Sequence, residues 1–164
     1  MVDAETPSRH IRTASRREAD LLREIHHRAS YIWAEDRPNL DANPNLFGVD
    51  PKSLEAGRVR VAVDDTGKLL GFATWRLTGD HAELDDLFVE PDAMRRGIGS
   101  ALVHDAAQCA GRAGLTRLFV VGHPRTLTFY KRVGFVEKGP ATTRFGPALR
   151  LERDLDSDLE RTRP

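Results

Sequence analysis

The stretch that decides the fold runs from Ala82 to Ala110 and reads AELDDLFVEPDAMRRGIGSALVHDAAQCA. Its first part, Leu84 to Val89, is rich in apolar, β-branched and aromatic residues, which predicts a buried strand. Glu90-Pro91-Asp92 ends this strand, because proline has no N–H to donate to a sheet ladder. The run Arg95-Arg96-Gly97-Ile98-Gly99-Ser100 opens a helix, which is predicted by an apolar residue at every fourth position from Ile98 onward. These helical positions are Ile98, Leu102, Ala106 and Ala110.

The predicted strand, turn and helix together indicate a site for a phosphate-bearing anion. Gly97 and Gly99 allow backbone N–H groups to approach an anion closely, and a helix N-terminus carries partial positive charge. Arg95 and Arg96 add two full charges at the rim of this turn. The local pattern therefore predicts a pyrophosphate site.

Two common nucleotide motifs do not fit the turn. A Walker loop requires Gly-Lys-Ser/Thr after its glycines, and this turn contains no lysine. A dinucleotide fingerprint requires a third glycine where Leu102 stands, and an acidic residue further on that is missing at the expected distance. Both nucleotide interpretations therefore fail on the residues present.

The stretch resembles the acetyl-CoA-binding motif of the GNAT superfamily of N-acetyltransferases, which is Gln/Arg-x-x-Gly-x-Gly/Ala after a strand. Gly97 and Gly99 match the two glycines, while Met94 stands where Gln or Arg is expected. A second frame, Arg96-x-x-Gly99-x-Ala101, also satisfies the pattern, but the spacing from strand to loop favours the first. The departure at Met94 affects one side-chain contact and leaves the backbone cradle intact.

A second block of sequence strengthens this resemblance. The run from His123 to Phe135, HPRTLTFYKRVGF, resembles the family pattern Asn-x-x-Ala-x-x-Phe-Tyr-x-x-x-Gly-Phe. His123 replaces the asparagine and Thr126 the alanine. Two blocks in the right order are far more specific than one, and the resemblance extends over roughly residues 9 to 153. It identifies residues 1–164 as a single GNAT acetyltransferase domain, with 1–8 and 156–164 as flexible tails.

The rest of the chain predicts the element order βα(α)βββαβαββ. Ser15 to Glu18 has the capping-box pattern, followed by a helix that ends before Pro38. Its apolar stripe is predicted to contain Leu21, Leu22, Ile25, Ala29, Ile32 and Trp33. Residues 39–48 are predicted to form a loop, and Asp50-Pro51 to begin a short helix that ends near Gly57. The expected fold is α/β of the α+β type: a mixed, mostly antiparallel sheet of six to seven strands with helices on both faces.

Composition limits the partners of the protein. The chain has 164 residues and zero formal net charge, which gives no general case for nucleic-acid binding. Its single cysteine, Cys109, excludes an internal disulfide, and no apolar run approaches the length that spans a membrane. We therefore expect a cytoplasmic protein without nucleic-acid or membrane partners. A homodimer is left open, because dimers are common among similar proteins.

The resemblance also implies how acetyl-CoA is bound. In the family, the central strand and its neighbour part at a bulge, and the pantetheine arm lies in the opening. By position, Leu87, Phe88 and Val89 would line the arm through their backbone, although an ordinary core strand would contain the same residues. The pyrophosphate would be held by Arg95, Arg96, Gly97, Ile98, Gly99 and Ser100. His123, Phe129 and Tyr130 complete the implied set of cofactor-binding residues.

Acetyl transfer to an amine requires a neutral amine nitrogen, and a lysine-like ammonium has a pKa of roughly 10.4, so a base or a water relay is needed. Glu83 lies six residues before Val89, where histone-acetylating members of the superfamily have their catalytic glutamate. The resemblance therefore implies Glu83 as base, with Asp85 or Asp86 as an alternative or as an anchor for the ammonium. A salt-bridged or solvent-facing carboxylate is the competing interpretation. Strand alternation places Glu83 and Asp85 on one face and Asp86 on the other, until the bulge disturbs it.

Tyr130 matches the family tyrosine near the sulfur of CoA, which implies that it donates a proton to the departing thiolate. Tyr31 and Trp33 are candidates for the acceptor-binding wall, together with His26 or His27. These two histidines are adjacent and cannot share one helix face. A zinc site would need a second His, Cys or carboxylate at ligand spacing, and none is found near these histidines. We therefore expect no metal.

The sequence therefore predicts an acetyl-CoA-dependent N-acetyltransferase that acts by direct attack of a primary amine in a ternary complex. The acceptor would be a small molecule or a peptide with a cationic amine. Two alternatives remain: a non-catalytic module that binds or senses acyl-CoA, and a protein that binds a nucleotide phosphate.

Overall fold

The computed structural model describes residues 9–156, which form one seven-stranded sheet with helices packed on both faces. The strands are β1 (Arg9–Thr13), β2 (Val59–Asp64), β3 (Leu69–Thr78), β4 (His81–Val89), β5 (Arg117–Gly122), β6 (Val136–Thr143) and β7 (Gly146–Asp154). The helices are α1 (Ala19–Tyr31), α2 (Arg37–Ala42), α3 (Pro51–Glu55), α4 (Ile98–Arg112) and α5 (Leu127–Arg132). The predicted tails lie outside the described residues, apart from Asp156.

The strand order across the sheet is β1-β2-β3-β4-β5-β7-β6. Within the described residues, β4 and β5 are parallel, and every other pair of neighbouring strands is antiparallel. This confirms the predicted mixed, mostly antiparallel sheet. It also places the boundary between the two kinds of pairing at β4, the strand that precedes the glycine turn.

Each face of the sheet has its own hydrophobic layer. On one face, α4 buries the apolar residues predicted from their spacing, Ile98, Leu102, Ala106 and Ala110. On the other face, α1 buries Leu22 and Ile25 against Phe72 and the valines of β2. We call these the α4 face and the α1 face.

The predicted apolar stripe of α1 is partly wrong. Leu22, Ile25 and Ala29 are buried, as expected for positions spaced by three and four residues. Leu21, next to Leu22 and so about 100° around the helix, is 46% exposed. The helix ends at Tyr31, so Ile32 and Trp33 lie beyond it and are also exposed.

The predicted loop at residues 39–48 is also wrong in its first half. Residues Arg37–Ala42 form the helix α2, and Pro44–Leu46 form a 3-10 turn. Pro38 occupies the first turn of α2, where its missing N–H would have no helical acceptor. Leu40 is buried, which fixes the short helix to the domain.

The ring of Phe72 supports β4 from the α1 face, because it packs against Phe88 with 5.7 Å between the ring centroids. Phe72 is fully buried, whereas Phe145, in the turn between β6 and β7, is 51% exposed. We expect Phe72→Ala to lower the free energy of unfolding by about 3–5 kcal/mol, because it leaves a cavity in the core. Urea denaturation would measure this loss. Phe145→Ala removes the same atoms from the surface and serves as the control, and equal losses in the two variants would contradict the assignment of the core.

Candidate functional site

The strands β4 and β5 part after only three paired residues. Ala82, Glu83 and Leu84 pair with residues 118–120, and residues 85–89 have no partner on β5. On the other side of β4, the register with β3 shifts so that Thr74 faces Asp86 and Trp75 faces Leu84. Asp85 is therefore an extra residue, a β-bulge, at the point where the strands separate. This confirms the predicted bulge and the opening beside it.

The backbone of β4 directs only some of its polar groups into this opening. The N–H of Glu90 donates to the carbonyl of Leu70 at 2.8 Å. Because hydrogen-bonded pairs alternate along an antiparallel ladder, Phe88 is likewise bonded to β3. The N–H and C=O groups of Leu87 and Val89 then point to the open side. Of the three predicted backbone contacts, only Leu87 and Val89 have groups available, and Phe88 instead packs its ring on the α1 face.

At the end of β4, the turn before α4 exposes a row of amides. Gly97 is the N-cap residue of α4 with φ = 77°, and no side chain caps the helix. The first N–H groups of a helix have no intrahelical acceptor, so those of Ile98, Gly99 and Ser100 are available to an anion. Arg95 has φ = 64°, which is rare for a residue with a Cβ. Two left-handed residues therefore lie close together in this turn, and backbone of this kind can direct successive N–H groups toward an anion.

Side chains around this turn hold it in place and add charge. The Arg9 guanidinium of β1 donates to the carbonyl of Arg96. The side chains of Arg95 and Arg96 are exposed, while that of Ile98 is buried in the core. Ile98 can therefore contact an anion only through its amide.

Two aromatic residues of α5 lie close to this end of the opening. A Cβ placed on Gly99 would lie 3.4 Å from Cζ of Phe129, and one placed on Gly122 would lie 3.2 Å from Cε2 of Tyr130. Phe129 therefore lies against the first turn of α4, and Tyr130 against the end of β5. Burial raises the pKa of Tyr130 to about 12, so its hydroxyl keeps its proton at neutral pH and can act as a donor.

His123 caps the 3-10 turn that leads into α5. Its Nδ1 accepts a hydrogen bond from the N–H of Arg125 at 3.1 Å, the role that an asparagine side chain would have at the same position. With Nδ1 acting as the acceptor, the proton of the neutral ring is on Nε2. Any contact of His123 with a ligand would then use Nε2 as a donor.

The three candidate carboxylates of β4 lie on the α1 face. Arg76 of β3 binds two of them, Glu83 at 2.6 Å through Nη2 and Asp85 at 2.8 Å through Nε. Strict alternation would have turned Asp86 to the opposite face. The bulge at Asp85 instead turns Asp86 to the same side as Phe88, whose ring stacks on His26 of α1 with 4.0 Å between centroids.

The electrostatic environment differs among these carboxylates. Burial raises the pKa of Asp86 to about 6, the Thr74 side chain opposes this increase, and the charges of Asp85 and Asp50 add to it. Burial also raises the pKa of Asp85, but Arg76 works against that increase. Asp86 is therefore the carboxylate that is most costly to ionise in this cleft.

The aromatic residues of α1 and its following loop are placed differently from expectation. His26 is neutral, because burial lowers its pKa to about 4, and its Nδ1 accepts a hydrogen bond from the N–H of Gly48. Both His26 and His27 contact the ring of Phe47, since the loop containing Phe47 packs across the helix. The Tyr31 hydroxyl donates to Asp41 at 3.2 Å. Tyr31 therefore contacts α2, and no described contact places it in the opening.

Trp33 takes part in a contact between the segment after α1 and the turn after β5. The Arg125 guanidinium lies 3.9 Å from the centre of the Trp33 ring and forms ion pairs with Asp36 at 2.6 Å and Glu35 at 3.3 Å. We call these four residues the Arg125 clasp. It connects the segment after α1 to the turn after β5.

The described residues contain no cluster of three or more side chains suited to holding a metal ion. Between residues 9 and 156, no helix is long and apolar enough to cross a membrane.

Comparison with known sequences agrees with this geometry. Residues 55–137, just over half of the chain, match the family profile described as Acetyltransferase (GNAT) domain. The chain belongs to the GNAT acetyltransferase family. The matched region includes the bulge, the glycine turn, α4 and both aromatic residues of α5.

This GNAT protein resembles the peptidyl-lysine N-acetyltransferase YjaB of Salmonella typhimurium, with 39% identity over 79 residues that cover 48% of this chain and 50% of YjaB. The matched regions cover between 26% and 50% of the curated relatives' own lengths.

Two solved structures have a similar fold. One is the PaiA N-acetyltransferase of Thermoplasma acidophilum in complex with coenzyme A, with TM-score 0.69, 17% identity and coverage of 90% of this chain and 99% of that chain. The other is the ribosomal-protein-S18-alanine N-acetyltransferase of Escherichia coli, with TM-score 0.67, 19% identity and coverage of 90% and 94%.

Two arginines of this GNAT site were missed at the level of sequence. Arg28 of α1 binds Glu90, a carboxylate that is only 7% exposed, and so ties α1 to the end of β4. Arg125 forms the clasp described above. Both are isolated charges in ordinary helix or turn sequence, and their partners lie 62 and about 90 residues away. Local patterns carry no signal for such contacts.

The Arg125 clasp predicts a change in the environment of Trp33. In Arg125→Ala, the Trp33 ring loses the guanidinium that covers it, so quenching of tryptophan fluorescence by acrylamide should increase. Trp75, the other tryptophan, is buried and should contribute little to this change. We expect a loss of about 1 kcal/mol in the free energy of unfolding, because the stacked contact and the ion pairs are exposed. Arg132→Ala, an exposed arginine of α5, is the control, and equal quenching in the two variants would contradict the clasp.

Proposed function

We propose that this protein transfers the acetyl group of acetyl-CoA to a primary amine by direct attack in a ternary complex. The observation that carries the proposal is the opening between β4 and β5, whose free backbone groups lead to the uncapped N-terminus of α4. Family membership supports the same activity.

The residues at the opening fit acetyl-CoA, which would supply an activated acetyl thioester. The amides of residues 98–100 and the side chains of Arg95 and Arg96 are suited to a pyrophosphate. Gly99 leaves room beside Phe129, and a larger side chain there would contact that ring. Leu87 and Val89 have N–H and C=O groups suited to the amides of a pantetheine arm. An N–H of this strand would also hold the oxygen on which charge develops.

The side chains supply the remaining chemical roles. Tyr130, whose hydroxyl keeps its proton at neutral pH, is the proposed proton donor to the leaving thiolate. Glu83, Asp85 and Asp86 are the candidates for the group that receives the proton of the amine. These carboxylates lie on the α1 face, the side where we propose that the acceptor binds.

An acceptor with a cationic amine suits this face, because two further acidic charges, Asp50 and Asp85, lie close to Asp86. The relatives allow a peptide as well as a small molecule. YjaB is named for peptidyl-lysine, and the Escherichia coli structure for the alanine of ribosomal protein S18. Both acceptors present a primary amine.

A release assay for free thiol tests the proposal. The protein would be incubated with acetyl-CoA and a panel of polyamines, aminoglycosides, amino acids and peptides with a lysine or a free N-terminus. We expect amine-dependent thiol release with at least one class. Calorimetry with CoA, ATP and NAD separates the alternatives. Binding of CoA without release for any amine would support an acyl-CoA-binding module instead, and preference for ATP or NAD would contradict both.

Tyr130→Phe tests the proposed acid. Removing a general acid typically lowers the rate by a factor of about 10² or more, so we expect kcat to fall about 100-fold while the Kd for acetyl-CoA changes less than about twofold. Because the ring is kept, the urea midpoint should remain close to that of the unaltered protein. Unchanged kcat in Tyr130→Phe would remove Tyr130 from the mechanism.

A further inference from the structure

The α1 face of the site holds more acidic groups than basic ones. Glu83, Asp85 and Asp86 lie within four positions of each other on β4, and Asp50 approaches from the start of α3. Arg76 is the cation that binds this group, and it contacts Glu83 and Asp85 only. Among residues 9–156, no lysine, arginine or histidine nitrogen lies within ion-pair distance of Asp86.

The contacts of Arg76 determine which carboxylates are available. Its Nε bonds Asp85 and its Nη2 bonds Glu83, so one planar guanidinium contacts both side chains. Glu83 also lies 3.7 Å from Nε2 of His81. Either carboxylate would have to give up a charge-assisted hydrogen bond in order to receive a proton. Asp86 interacts instead with the neutral hydroxyl of Thr74, so receiving a proton breaks no ion pair.

We propose that Asp86 binds the ammonium group of the acceptor and receives its proton, while Arg76 keeps Glu83 and Asp85 out of this role. This inference rests on the proposed acetyl transfer and names the base within it. It differs from the position that the family resemblance implied, which was Glu83. The physical cause is the bulge, because the extra residue Asp85 turns Asp86 to the α1 face beside the parted strands.

The proton balance of the step is complete. The ammonium gives one proton to the Asp86 carboxylate, which later releases it to water. The free amine nitrogen forms its bond to the acetyl carbon as the carbon–sulfur bond breaks. The second proton of the nitrogen neutralises the leaving thiolate, with Tyr130 as the relay. The products are an amide, a free thiol and one proton.

The surroundings of Asp86 suit this role. The titratable and charged groups nearest Asp86 are Glu83 and Asp85 on β4, Arg76 on β3, Asp50 at the start of α3 and His26 on α1. Along β4, His81 lies beside Glu83, and Glu90 is paired with Arg28 of α1. His26 is neutral and adds no charge, since burial lowers its pKa to about 4. Burial raises the pKa of Asp86 to about 6, closer to neutral pH than that of an ordinary carboxyl, which makes it a stronger base.

The same environment has a consequence for stability. A carboxyl whose pKa is raised in the folded state favours folding while it is protonated, and this contribution is lost as pH increases from about 4 to above 6. At pH 8 the ionised Asp86 therefore destabilises the fold. Asp86→Asn, which has nearly the same shape and no charge, should raise the urea midpoint at pH 8. The midpoint at pH 4 should change little.

The experiment compares Asp86→Asn with Glu83→Gln and Asp85→Asn, using acetyl-CoA and an amine that supports thiol release. We expect kcat/KM of Asp86→Asn to fall at least 100-fold and to lose the acidic limb near pH 6. Glu83→Gln and Asp85→Asn should fall less than tenfold and keep that limb. Asp65→Asn, in the turn between β2 and β3, is the control for the chemical change itself. Calorimetry with CoA should give the same Kd for all four variants.

The outcomes separate the role of Asp86 from acetyl transfer itself. If Glu83→Gln loses the acidic limb and Asp86→Asn keeps it, or if Asp86→Asn is less stable than the unaltered protein at pH 8, the assignment of Asp86 is wrong and acetyl transfer stands. If the unaltered protein releases no thiol with any amine of the panel, acetyl transfer and the role of Asp86 are both overturned.

Discussion

The architecture of the site depends on the short pairing of β4, which bonds to both β3 and β5 only at residues 82–84. Beyond Leu84, the strand keeps β3 and loses β5, so the N–H and C=O groups of Leu87 and Val89 face the opening. Backbone groups that are shielded from water cost free energy unless they find a partner. The opening therefore offers these groups to water or to a ligand with amide groups of its own. The glycine turn adds the uncapped amides of α4 at the end of the same path.

One extra residue, Asp85, connects the backbone geometry to the charges. A bulge bends its strand and leaves two residues opposite one. In β4 this brings Asp86 to the face that already holds Glu83 and Asp85, with a single arginine between them. Two of the carboxylates become structural partners of Arg76, and the third is left ionisable in a half-buried cleft. The bulge thus lies where the strands part, and it also sets which acidic groups Arg76 binds.

Much of this arrangement was predictable from sequence, because it depends on local patterns. The four-residue spacing from Ile98 to Ala110 predicts α4. The glycines at 97 and 99 predict the turn at its start. The faces of the carboxylates were not predictable, because a bulge is defined by pairing with another strand and Thr74 lies twelve residues from Asp86. The first helix does end before Pro38, but the loop predicted to follow contains α2, since a proline also suits a first helical turn. The Arg125 clasp joins residues far apart in the chain, for which a single sequence carries no periodic signal.

Three features of the site cost free energy of folding: the left-handed Arg95, the uncapped start of α4 and the half-buried carboxylate of Asp86. The last of them favours catalysis over simple binding. Arg95 in a left-handed conformation costs about 1–3 kcal/mol, and the uncapped helix leaves amides without protein partners. Both features serve a site for a phosphate-bearing ligand, so an acyl-CoA sensor would need them as much as an enzyme. Asp86 is different. It lies on the α1 face, away from the glycine turn, and we expect its ionised form to destabilise the fold above its raised pKa of about 6. Binding of the cofactor gives no reason to keep such a charge, whereas removal of a proton from an amine does.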